Sequence, residues 1–151
     1  MTSSVLRAGL ALGLVLAAGC SSGPDLGPGA LVVIGTIEGA PSQSLVLTPA
    51  PLVAGKASQV IVNSFGPSSC TKPDHAVVDQ EDTLATVTPY DLVAPADVEC
   101  TRDIAPQPHP VMLRFTAGGE GVLRVIGYRF DKTSGARRLD TVTVRLPVLG
   151  D

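Results

Sequence analysis

Tryptophan is absent from this 151-residue chain, and three phenylalanines and two tyrosines are its only other large aromatics. Charge is scarce too, at 17% of residues with a net of −3. No whole-chain surplus of cations exists to favour nucleic acid as a partner. After residue 20 no segment sustains a capped 3.6-residue period, which excludes any helix longer than a turn or two. The uncharged N-terminal run from Ala8 to Gly19 falls short of the ~20 residues that a membrane-spanning helix needs. The sequence also has no G-x-S-x-G elbow, no H-E-x-x-H pair and no phosphate loop. It therefore reads as a non-enzyme, and no cofactor is expected.

What the chain has in quantity is glycine and proline, 16 and 13 residues, a composition typical of turn-rich all-β proteins. Eight short β-like runs stand between turn residues: Leu31 to Ile37, Ser44 to Thr48, Ser58 to Phe65, His75 to Val78, Thr83 to Tyr90, Val111 to Thr116, Gly121 to Phe130 and Asp140 to Val148. The clearest alternation sets Val111, Leu113 and Phe115 against Met112 and Arg114. A second sets Val142, Val144, Leu146 and Val148 against Thr141, Thr143 and Arg145. Such a period of two means sheets with one wet and one buried face. Seven to eight antiparallel strands in one domain make a two-sheet sandwich the natural solution.

Residues 1–20 carry one cation, Arg7, then an apolar run ending in Leu16-Ala17-Ala18-Gly19-Cys20. The geometry is that of a signal peptide, and its end resembles the lipobox of bacterial lipoproteins. That resemblance implies lipidation of Cys20, cleavage before it, and a membrane partner reached through the anchor. With Ser21 next, it further implies the outer membrane in a Gram-negative cell. Residues 21–30, rich in Gly, Pro and Ser, read as a flexible tether that carries no core, and 31–151 as the folded domain.

Two patterns sharpen the fold. The passage Thr48 to Gly55 resembles the A-to-B connection of bacterial immunoglobulin-like domains, and Phe115 to Val125 resembles their E-to-F corner. An immunoglobulin-like sandwich is what this implies. The strings Thr86 to Asp91, Cys100 to Ile104 and Pro108 to Val111 are similar to those of small uncharacterised exported bacterial proteins, a resemblance that implies no activity.

With Cys20 assigned to lipid, Cys70 and Cys100 remain as an even pair in an oxidising compartment, so a disulfide is expected. Without a strand-borne tryptophan it is not the immunoglobulin intersheet bridge. It reads as a staple from the loop after the third run to a long excursion over 91–110.

Candidate chemistry is thin. His75, Cys100, His109 and Met112 occur in blue-copper ligand order, but their spacing is wrong and the disulfide consumes the thiolate. Residues 74–103 hold eight acids against Arg102 alone, which raises calcium as an alternative; Asp79, Glu81 and Asp82 are its first candidates. The competing expectation is a solvated acidic flank. Asp74 and His75 could form a base with its orienter, but adjacent strand residues face opposite ways. His109, between two prolines, reads as a loop residue entering a strand. From residue 104 onward the net charge is +3, and Arg129, Lys132, Arg137 and Arg138 gather at the last hairpin. That tip is the candidate surface for an acidic envelope protein or an anionic envelope polymer. The overall expectation is a lipid-anchored cell-envelope protein acting as a binding or structural module, with a metal-binding sandwich as the alternative.

Overall fold

The computed structural model describes residues 26–39, 42–131 and 133–151. Cys20, the signal segment and Lys132 lie outside them. Among the described residues nine strands follow in chain order: β1 (Leu31–Ile34), β2 (Val46–Leu47), β3 (Leu52–Val53), β4 (Ser58–Pro67), β5 (Thr71–Glu81), β6 (Leu84–Val93), β7 (Ile104–Leu113), β8 (Gly119–Phe130) and β9 (Arg137–Leu149). The protein is all-β, and the strands form two sheets. The smaller runs β2-β4-β7; the larger runs β5-β6-β8-β9-β3, with β1 beside β6.

All eight runs read from the sequence contain a strand. Two expectations need correction. The pairings are not all antiparallel: β6 pairs β8 in parallel, and so does β3 with β9. And β3 lies inside the Thr48 to Gly55 passage expected to be only a connection; Leu52, only 3% exposed, is drawn into the core and pulls the chain onto the edge of β9.

The larger sheet forks. One edge of β6 carries β5 along its length, while the other carries β8 over Leu84–Val87 and β1 over Tyr90–Val93. Beyond β1 the chain leaves β6 for β8, with a bridge from Thr36 to Tyr128. It also accepts a backbone bond from Phe65 of β4 at Thr36. This segment therefore ties the two sheets together, and the site described below lies beneath it.

One hydrophobic core fills the space between the sheets. Val60, Val62, Val111 and Leu113 of the smaller sheet meet Ala85, Val87, Leu123, Val125, Leu146 and Val148 of the larger. These are the in-phase residues of each strand, and both alternations read from the sequence place their apolar members inward. A second cluster joins Leu26, Cys70 and Ala94. The packed part of the chain thus reaches back to Leu26, inside the segment expected to carry no core.

β7 is an edge strand, and its sequence reflects that. Pro106, Pro108 and Pro110 alternate outward while Gln107, His109 and Val111 point inward. Proline donates no backbone hydrogen bond, so it is tolerated at an edge and blunts that edge against pairing with another chain. The excursion expected over 91–110 shrinks accordingly to the segment between β6 and β7.

Candidate functional site

Three polar side chains meet in the interior between the sheets. Ser64 of β4, Asp91 of β6 and His109 of β7 are each in phase with the apolar residues of their strands, so each points inward. Ser64 Oγ donates to Asp91 Oδ1 at 2.7 Å, and His109 Nε2 lies 2.9 Å from the same oxygen and 3.1 Å from Ser64 Oγ. With the hydroxyl proton directed at Asp91, the proton on the facing imidazole nitrogen completes the triangle. The side chains of Asp91 and His109 are each 2% exposed.

This is a serine, a histidine and an aspartate, but not a hydrolytic relay. A relay needs the carboxylate on one ring nitrogen and the hydroxyl on the other. Here both partners crowd Nε2, and Ser64 is fully buried. The triangle's structural effect is to join the sheets by a charged contact.

Gly35 makes room for it. A Cβ at that position would stand 2.5 Å from Ser64 Cβ and 2.8 Å from Asp91 Oδ2. Gly35→Ala is therefore expected to destabilise by about 1–3 kcal/mol through overpacking. A chemical-denaturation midpoint equal to that of the parent protein would show that the triangle yields freely.

Beside Asp91 lies a cavity of about 400 Å³. Its walls are mainly apolar, including Val33, Ile34, Phe65, Val93 and Ile104, with Thr71, Glu38 and Arg137 among the polar members. Ile104 and Phe130 line it and are about half exposed, so the cavity opens to solvent on their side. Arg137 lies over the Tyr128 ring, 4.4 Å from its centroid, and 6.0 Å from that of Phe130. A pocket of this volume with few convergent polar groups has the character of a small-molecule site.

The residues singled out from the sequence fall as follows. Cys70 and Cys100 form a disulfide, with Cα atoms 5.5 Å apart. It stands beside a hydroxyl cluster in which Thr101 N donates to Ser69 Oγ at 2.8 Å. Hydrogen bonds from Ser68, then Thr101, hold the Asp103 carboxyl below the ordinary value of 3.8. At the last hairpin, Arg129 and Arg138 both face Asp140, at 3.6 and 3.7 Å, while Arg137 turns to the cavity.

Asp79 and Glu81 project from the exposed end of β5, and Asp82 turns the chain at φ 49°. Among the described residues, no group of three or more His, Cys, Asp or Glu could hold a metal ion. Of the copper-ordered residues, His75 and His109 line one depression between β5 and β7. Cys100 is held in the disulfide, and Met112 is 59% exposed.

Two expectations about the histidines are corrected. Asp74 and His75 do meet, Oδ2 to Nδ1 at 2.6 Å. A register shift between Pro73 and His75 breaks the alternation that would have separated them. His75 also stacks on Tyr90, 4.7 Å between centroids. His109 is no loop residue but a buried member of β7. The acidic flank has one exception as well: Asp91 is interior.

At the hairpin tip, backbone N–H groups of Ser134 and Thr133 donate to Asp131 Oδ1 at 2.8 and 2.9 Å. They hold its pKa below the ordinary 3.8. The sign follows: the contact contributes fully above the ordinary value and is lost as pH falls through the lowered one. A carboxyl NMR titration is expected to put Asp131 and Asp103 below an unstructured aspartate. An Asp131 midpoint at or above 3.8 would contradict the turn geometry.

Comparison with known protein families, curated proteins and solved structures finds no significant match to any of them.

Proposed function

We propose that the protein is a lipid-anchored module of the bacterial cell envelope that binds a small, largely apolar ligand in the cavity beside Asp91. The observation that carries the binding role is that cavity: about 400 Å³ of mainly apolar wall with a buried carboxylate. A concave, mainly apolar pocket of this size with a few polar groups is the usual form of a small-molecule site. The anchor rests on the lipobox-like end of the N-terminal run, Leu16 to Cys20. An oxidising envelope compartment, the outer membrane in a Gram-negative cell, suits the Cys70–Cys100 bond. An immunoglobulin-like sandwich is the fold we assign. Two sheets around one core support it, as do the turn patterns of Thr48 to Gly55 and Phe115 to Val125.

Two readouts on full-length protein extracted from membranes test this. Intact mass should begin at an acylated Cys20; any other start removes the anchor. The neutral fluorescent probe N-phenylnaphthylamine should bind, and Val93→Phe, which fills the cavity, should weaken binding at least ~10-fold. Equal binding by the variant, or none by the parent protein, removes the cavity reading.

A further inference from the structure

The carboxylate of Asp91 is used on one side only. Oδ1 takes both internal contacts, from Ser64 Oγ and His109 Nε2. Oδ2 has no hydrogen-bond partner among the described residues, although the side chain is 2% exposed and lines the cavity. Among the described residues, the one arginine lining that cavity, Arg137, is laid over Tyr128 and makes no ion pair with Asp91. Among the described residues Oδ2 is not one of the fully buried atoms that lack a partner, so it keeps some contact with solvent, and a donor carrying positive charge that meets it between apolar walls gains a charge-assisted bond.

Resting on the cavity-binding reading above, we propose that the ligand is a small apolar ammonium compound whose nitrogen pairs with Asp91 Oδ2. Its hydrocarbon body lies along Val33, Phe65, Val93 and Ile104. An ammonium group suits this oxygen because it brings both the donors and the charge that the two internal contacts do not direct there. An anionic ligand meets Asp91 with like charge, and a neutral alcohol brings a donor without compensating charge.

The test is displacement of N-phenylnaphthylamine from the full-length protein in uncharged detergent by hexylammonium, hexanol and hexanoate. Hexylammonium is expected to compete about 10–100-fold better than hexanol, with hexanoate weakest. In Asp91→Asn the ammonium and the alcohol should become equal. If that variant fails to fold, the ranking on the parent protein decides alone. Hexanol matching hexylammonium, or no displacement by any of the three, overturns the ammonium proposal while probe binding keeps the cavity reading standing. Failure of the probe itself to bind removes both.

Discussion

His109→Ala should lower the unfolding midpoint by roughly 10 °C or more, corresponding to about 3–5 kcal/mol. The loss comes less from the contact itself than from what remains, since Asp91 would stay buried with only the Ser64 hydroxyl to meet it. Ser64→Ala removes one hydroxyl contact and should cost less, about 1–3 kcal/mol. Because all three groups converge on one oxygen and one nitrogen, the effects should not add. A double-mutant cycle on Ser64 and His109 is expected to give a coupling of ~0.5–3 kcal/mol. Asp91→Leu combined with His109→Leu should be milder than His109→Ala, because replacing both partners leaves no orphaned charge. If His109→Ala unfolds within a degree or two of the parent protein, the triangle contributes nothing to stability, and its burial would need another explanation.

The two residues most informative about this protein were legible in principle. Val111, Leu113 and Phe115 alternate visibly, and stepping the same phase back two places reaches His109, another two Gln107. Three prolines hid it. They are turn residues by habit, yet on an edge strand they occupy the outward positions where a missing N–H costs no pairing. Asp91 was masked differently. It continues the inward phase of Ala85, Val87 and Pro89, but it also belongs to a run of acids that otherwise favours water. Period outranks composition here, because a strand's pleat decides the facing of each side chain whatever its polarity.

Other features had no local signal. Asp74 meets His75 where the register shifts between Pro73 and His75, and a period of two alone does not foresee such a shift. The parallel pairing of β6 with β8 is likewise a matter of topology. It brings together segments almost forty positions apart, and the fork it creates opens the edge where β1 enters. The cavity follows from that fork, being walled by β1, β6 and the ends of β4 and β8. Alternation can place a residue inside or outside, but it cannot reveal where two sheets fail to close.

Replacing the disulfide by Cys70→Ala with Cys100→Ala should cost roughly 3–4 kcal/mol, the loop-closure entropy expected for a sequence separation of 30. Alanine isolates the covalent term better than serine would, since Cys70 is 1% exposed among Leu26 and Ala94 and a hydroxyl there would add a burial penalty. The effect should reach the cavity. Thr71 follows Cys70 directly, Ile104 begins the strand after the Cys100 loop, and both line the cavity. Residues 96–104 are exposed, and besides the bond the loop is linked to the β4–β5 turn by polar contacts: Ser68, Ser69 and Thr101 with one another, Ser68 with Asp103, and Ala94 N with Cys70 O. Reduction should therefore weaken probe binding as well as stability chiefly through Thr71, because Ile104 is also held by its pairing with Pro67 and by Gln43 Nε2 on its carbonyl. The double variant binding probe normally while melting earlier would confine the staple to the unfolded state. Unchanged melting would mean that the hydroxyl cluster and the Leu26 packing already fix the loop, and that the covalent bond adds nothing the native contacts do not supply.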